Sequence, residues 1–298
     1  MFRNLSGYFF NKCSRCLPRH LVALFLFALL AGPASASALT VSDDALRAAC
    51  HDGNVAAASS ALAAGAGIDR ADETLGNTPL HLAVIYRQPR IVRYLIERKA
   101  HLDCVTKKGY TPLHLAVFNN DAAMIGLLAS SGADTGLADA DPGNVPLFYA
   151  AWEGRDACVA ALLRHGADVN IRRKSDNQTA LLHAVIKKHT STAAILLASR
   201  ADPAVSETTY GFTALHYAVM HNHAALVKML IEHRAPLDQG DKNRLTPLGH
   251  AANSMNRVEA ARLLVDAGAD LFARSIWGSD PWAIAVWRTN TVVADMIR

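Results

Sequence analysis

The six residues TPLHLA at positions 78–83 recur unchanged at positions 111–116. Looser copies extend the pattern over most of the chain, and the motif begins near 44, 78, 111, 145, 179, 213, 246 and 280. Successive starts are therefore 33 or 34 residues apart. A fixed period of this length predicts an array of stacked units, each of which buries its apolar face only against its neighbours.

Helix signals lie at fixed points of every unit. Pro79 and Pro112 follow a threonine that can cap a helix, and proline is well tolerated in the first helical turn. A second motif follows at a constant interval, for example LLRHGAD at 162–168. Its glycine stands where a left-handed residue commonly ends a helix. Each unit is thus predicted to be two short antiparallel helices followed by a turn.

The two motifs together resemble the ankyrin repeat, in which TPLHLA opens the first helix and LLxxGAD closes the second. The resemblance covers residues 40–298. It implies an all-α ankyrin-repeat solenoid with about eight helix-turn-helix repeats, joined by β-turn or hairpin fingers. We therefore expect an ankyrin-repeat domain over residues 39–298.

The net charge of +4 comes from the start of the chain. Arg3, Lys12, Arg15 and Arg19 lie in the first 38 residues, which contain no acidic residue. Of 30 basic residues these four are removed, leaving 26 to match the 26 acidic ones. A neutral body gives no electrostatic reason to expect nucleic acid or an anionic membrane surface as a partner.

Residues 1–38 read as a secretory signal peptide. A basic segment precedes the apolar run Leu21–Ala31, a Gly-Pro pair breaks that run, and small-residue cleavage sites follow at 34–36 and 36–38. We expect a periplasmic or secreted protein, from a Gram-negative bacterium. The alternative is an uncleaved leader that anchors the protein in a membrane, although the apolar run is shorter than the roughly 20 residues of a spanning helix.

Three cysteines follow this leader, namely Cys50, Cys104 and Cys158. An odd number leaves at least one thiol free or bonded outside the chain, and the three fall at different points of the repeat. The fold is therefore not expected to depend on disulfides.

Motifs for catalysis are missing from the sequence. There is no phosphate loop, HExxH, GxSxG or Cys/His zinc pattern. The family resemblance implies that His81, His114 and His216 bond to backbone of the neighbouring loop. His221 and His223 could bind metal, but scattered loop histidines are the simpler interpretation. The segment 139–144 does not match a calcium-binding loop. Its glycine is at the fifth position instead of the sixth, and the twelfth residue of such a loop would be Ala150, which cannot chelate an ion. We predict no enzyme activity, cofactor or metal.

The family resemblance places partners along a concave groove, lined by finger tips and by the residues that follow each TPLHLA motif. Large apolar side chains recur at those positions, which is typical of a partner site. The alternative is that these rings fill the core. The predicted groove residues are Ile85, Tyr86, Phe118, Trp152, Glu153, Ile186, Lys187, Met220 and Trp287, and the predicted finger residues are Lys107, Lys108, Tyr110, Tyr210 and Phe212.

The function that we expect is an exported, monomeric interaction module that binds a protein partner. One alternative is a periplasmic immunity protein or inhibitor that neutralises a toxin or enzyme, and another is a membrane-anchored scaffold. At the last repeat, Val292, Val293 and Ile297 either pack back on repeat seven or are covered by a partner.

Overall fold

The computed structural model describes residues 41–298. Within that range the regular structure is helical, with one isolated antiparallel bridge between Ser206 and Thr213. The helices are α1 Val41–Asp52, α2 Val55–Ala63, α3 Pro79–Ile85, α4 Pro89–Glu97, α5 Pro112–Phe118, α6 Ala122–Ser130, α7 Pro146–Trp152, α8 Asp156–Arg164, α9 Ala180–Ile186, α10 Thr190–Ala198, α11 Ala214–Met220, α12 Ala224–Glu232, α13 Pro247–Ala252, α14 Val258–Asp266, α15 Pro281–Trp287 and α16 Thr291–Ile297. This confirms the predicted ankyrin-type arrangement of eight helix pairs.

Threonine caps begin the first helix of most repeats, as predicted. The Thr78 hydroxyl accepts from the His81 N–H, and the Thr78 N–H donates to His81 Nδ1 at 3.1 Å, forming a capping box. The same pair of bonds joins Thr111 to His114 and Thr213 to His216. Each cap satisfies main-chain donors that the helix itself leaves free.

The helices form two packed rows. The first helices of successive repeats contact one another from α3 to α15, and the second helices do the same from α2 to α4 and from α6 to α16. A leucine in the first helix is buried between neighbouring repeats. It is found at Leu80, Leu113, Leu147, Leu181, Leu215 and Leu248. The core is therefore continuous along the array, as stacking of incomplete units requires.

A short finger links each repeat to the next. In each of the seven fingers of the described chain, the N–H of the first finger residue donates to the carbonyl oxygen just before the following helix cap, over 2.8–3.0 Å. The closing pairs are Asp72–Asn77, Thr106–Tyr110, Asp139–Asn144, Arg173–Gln178, Glu207–Phe212, Asp241–Leu245 and Ser275–Ser279.

Main-chain bonds also connect neighbouring fingers. The Lys107 N–H donates to the Leu75 carbonyl at 2.8 Å, and the Lys242 N–H donates to the Tyr210 carbonyl at 2.9 Å. The third and fourth fingers, which begin at Asp139 and Arg173, are also linked by a side-chain bond, from Arg173 Nη1 to Asn144 Oδ1 at 2.9 Å. The fingers are thus held in a fixed order along the array.

Left-handed residues end the second helices. Gly132, Gly166 and Gly268 have φ values of 100°, 86° and 88°, as the sequence predicted. In three repeats this position is occupied by residues with a side chain, for which a positive φ is unfavourable. These are Lys99, Arg200 and Arg234, with φ values of 67°, 67° and 59°.

In the last repeat, Val293 and Ile297 are buried, whereas Val292 is exposed. No helix among residues 41–298 is both long and apolar enough to span a bilayer. The predicted signal peptide at 1–38 lies outside the described residues.

Candidate protein-binding surface

Six of the nine predicted groove residues occupy one repeated position. The last residue of a first helix has a large apolar side chain in six repeats, and we call this set the helix-end row. Its members are Ile85, Phe118, Trp152, Ile186, Met220 and Trp287. The first five are half-buried, and Trp287 is 67% exposed. Tyr86, Glu153 and Lys187 follow three of these residues, and the latter two are exposed. The row therefore combines side-chain packing with accessible apolar surface.

Phe118 belongs to a ring cluster that connects a finger to two repeats. Its ring lies edge-on to Tyr110, in the preceding finger, with centroids 5.0 Å apart. It is also edge-on to Tyr149, in the next repeat, at 4.9 Å. The Tyr149 hydroxyl donates to Asp139 Oδ2 at 2.5 Å. The sequence analysis missed Tyr149, although its position three residues before Trp152, on the same helix face, was a usable signal.

Trp152 is contacted from the next repeat. The Lys187 ammonium lies 4.1 Å from the centroid of its ring, and the His183 ring packs edge-on against it at 5.4 Å. A cation over an indole face is attracted by the ring quadrupole. Trp152 and Lys187, which were both predicted as groove residues, are thus in direct contact, and each helps to orient the other.

The predicted finger residues divide into two groups. Lys107 and Lys108 are exposed at a finger tip, and Tyr210 is 46% exposed at another. Phe212 is a correction to the prediction, because it is only 4% exposed. Its ring packs against Tyr210, Tyr217 and His250 with centroids 5.3–5.5 Å apart, so it supports the finger from within.

The TPLH histidines have the structural role that the resemblance implied. His81, His114 and His216 each place Nε2 3.0–3.2 Å from a carbonyl oxygen one repeat later. Because Nδ1 accepts from the capping threonine, Nε2 carries the proton and donates this bond. Burial lowers the pKa of His81 and of His216 from 6.5 to about 4, and also lowers that of His114. These rings are neutral at physiological pH.

Within residues 41–298, no cluster of three histidine, cysteine or acidic side chains could hold a metal ion. His223 Nδ1 accepts from the Leu226 N–H, and Asp139 accepts from the Gly143 and Asn144 N–H groups of its own finger.

The thiols of Cys50, Cys104 and Cys158 are all free. Burial raises the pKa of Cys50 to about 12 and that of Cys158 to about 11, so both thiols are protonated and poor nucleophiles.

Known proteins share this architecture. The family model described as "Ankyrin repeats (3 copies)" matches overlapping segments at 25–104, 45–139, 99–173, 131–207 and 202–275. The mouse nuclear factor NF-kappa-B p105 subunit is 37% identical over 82 residues, which are 27% of this chain and 8% of that protein's length. The crystal structure of the ankyrin repeat domain of Bcl-3, described as a unique member of the IkappaB protein family, matches with a TM-score of 0.68 and 27% identity. That match covers 73% of this chain and 98% of the Bcl-3 domain. The chain belongs to the ankyrin-repeat family.

Proposed function

We propose that this protein is an exported interaction module that binds a protein partner along the helix-end row and the adjacent fingers, without catalysis. The observation that carries the proposal is the recurrence of a half-buried apolar residue at one position of five consecutive repeats, from Ile85 to Met220. Unrelated surface residues would not be expected to keep a large apolar side chain in phase with the repeat.

The energetics of such a surface favour a few aromatic anchors. Phe118 is held by Tyr110 and Tyr149, and Trp152 is held by Lys187 and His183. Anchors that are already fixed lose little conformational entropy when a partner covers them. Aromatic residues near the centre of an interface commonly account for most of its binding free energy.

Export is the second part of the proposal and depends on the leader at 1–38. Cleavage after this segment would release the repeat domain into the periplasm or the medium. Retention of the leader would instead give a membrane-anchored scaffold. Cell fractionation with N-terminal sequencing of the recovered protein distinguishes the two, because only cleavage produces a new N-terminus near residue 39.

The test of the surface is affinity capture from native envelope extract with the wild-type protein and with a Phe118→Ala, Trp152→Ala double variant. The matched control is Leu163→Ala, Ile195→Ala, which truncates two half-buried apolar residues of the second-helix row. Circular dichroism and urea unfolding establish that all three proteins are folded.

We expect a dominant partner that the wild type and the control retain and the double variant loses. Retention by all three proteins would move the site away from the helix-end row. Unfolding of the double variant alone would mean that the two rings belong to the core. A one-to-one complex of high affinity would favour an inhibitor or immunity role, whereas several weakly bound envelope proteins would favour a scaffold.

A further inference from the structure

Charge is unevenly distributed over this neutral repeat body. At the finger tips and in the two residues after each first helix, cations outnumber carboxylates. The cations are Arg87, Lys107, Lys108, Arg173, Lys174, Lys187, Lys188, Lys242, Arg244 and Arg288. Four carboxylates lie at finger tips or directly after a first helix, namely Glu73, Asp141, Glu153 and Asp176. Four more begin fingers, namely Asp72, Asp139, Glu207 and Asp241, and each accepts hydrogen bonds from main-chain N–H groups of its own finger. The excess of acidic residues must therefore lie elsewhere on the domain.

Most of these cations are available to a partner. Asp176 neutralises Arg173, with Nη2 and Oδ2 2.5 Å apart. Among the described residues, Lys108, Lys174 and Lys188 form no ion pair, and all three are exposed. Lys187 is held over the Trp152 ring rather than by a carboxylate. The candidate surface therefore combines uncompensated positive charge with apolar anchors.

We infer that the partner segment is an extended, acidic peptide with apolar residues at regular intervals. This inference rests on the proposed binding surface and names the chemistry of its ligand. A carboxylate that pairs with Lys187 would bring its neighbouring side chain onto Trp152, because the two surface groups are in contact. Opposite charge of this kind sets register and association rate, while the rings supply the affinity.

The spacing of the repeats sets the spacing in the peptide. Packed helices lie about 8–10 Å apart, and an extended chain advances about 3.3 Å per residue. One repeat therefore corresponds to roughly three peptide residues. A segment that follows the row from Phe118 through Trp152 and Ile186 to Met220 would carry an apolar residue at about every third position, with acidic residues between them.

A peptide fits better than a nucleic acid. Glu153 directly follows the Trp152 anchor, and Asp141 lies at an intervening finger tip. A uniformly charged phosphate backbone would meet repulsion at these points. A peptide can place a neutral residue opposite each carboxylate, so Glu153 becomes a position that selects register.

The experiment selects binding peptides from a displayed random-peptide library, with the full-length protein as the immobilised target. We expect enriched peptides to combine aspartate or glutamate with large apolar residues at intervals of about three. Binding of the best peptide, measured by fluorescence anisotropy, should weaken at least tenfold in Lys187→Glu, Lys188→Glu. It should strengthen several-fold in Glu153→Gln, which removes the repulsion between Glu153 and the acidic peptide residues on either side of the neutral position, without altering an anchor.

The outcomes separate this inference from the proposed function. Enriched peptides without acidic residues that still require Phe118 and Trp152 would overturn the inference and leave the binding surface in place. Acidic peptides unaffected by Phe118→Ala, Trp152→Ala would overturn the surface itself. Failure to enrich any peptide, or displacement of the best peptide by single-stranded DNA at equal concentration, would overturn the choice of an acidic peptide as ligand.

Discussion

The Nε2 atom of His250 lies 3.0 Å from Oδ2 of Asp241, the first residue of the preceding finger. His183 occupies the same position two repeats earlier, but its finger begins with Arg173 instead of an acid. His183 is only 3% exposed, and neither ring nitrogen forms a hydrogen bond. The imidazole at this position of the repeat thus has a hydrogen-bond partner at His250 and none at His183.

This contrast predicts that His183→Leu stabilises the protein. Leucine occupies the equivalent position at Leu82 and Leu115, and it removes two buried polar atoms that lack partners. We expect the free energy of unfolding to rise by about 1–2 kcal/mol at pH 7. Urea unfolding monitored by circular dichroism provides the measurement.

The matched control is His250→Leu, which should destabilise the protein because it leaves the Asp241 carboxylate buried without its partner. Equal effects of the two substitutions would show that the hydrogen bond to Asp241 has no net value.

Stability should also fall as the pH is lowered from about 6.5 towards 4. Burial lowers the pKa of His183 to about 3, and the pKa values of His81, His114 and His216 are lowered as well. The unfolded chain binds protons near pH 6.5 at these residues, and the folded chain does not. Each histidine therefore removes about 1.4 kcal/mol per pH unit within this window.

Urea unfolding at pH 7, 6 and 5 measures how the free energy of unfolding changes with pH. In His183→Leu this pH dependence should be smaller by the contribution of one histidine. The carboxylates do not obscure the result. Burial opposes ionisation of Asp72 and Asp241, but hydrogen bonds outweigh it and lower both pKa values, so their contribution is lost only below about pH 4. A flat profile from pH 7 to pH 5 would mean that these histidines become protonated inside the folded protein.

The sequence predicted the features that recur among the repeats. The threonine caps and the glycines after the second helices follow from local chemistry, and the structure confirms them at Thr111 and Gly132. The histidine bonds to the next loop were implied by the family resemblance, and the structure has this bond at His114. The sequence did not predict that Phe212 is buried or that His183 is unpaired. Those properties depend on which side chain the neighbouring repeat places opposite, and a motif aligned repeat by repeat contains no such information.

The left-handed positions predict a second route to higher stability. Lys99, Arg200 and Arg234 adopt positive φ values at the position that Gly132 occupies in its repeat. Because glycine has no Cβ to strain there, Lys99→Gly, Arg200→Gly and Arg234→Gly should each stabilise the fold by about 0.5–1 kcal/mol. Gly132→Ala should destabilise it by a similar amount, since its added Cβ would meet only backbone strain and no neighbouring atom. Thermal unfolding of the four variants provides the measurement. An unchanged stability of Gly132→Ala would contradict this account.

The three thiols should differ in reactivity in a defined order. Cys50 and Cys158 are buried and Cys104 is half-buried, so Cys104 should react first with a maleimide at pH 7.5 in the folded protein. Burial raises the pKa of Cys104 too, with help from Asp69 and Asp103, so its reaction should still be slower than that of a free thiol. Peptide mapping by mass spectrometry assigns the label to each cysteine, and unfolding in urea should equalise the rates. Labelling of Cys158 before Cys104 under native conditions would show that the fourth repeat opens locally, which its buried core position argues against.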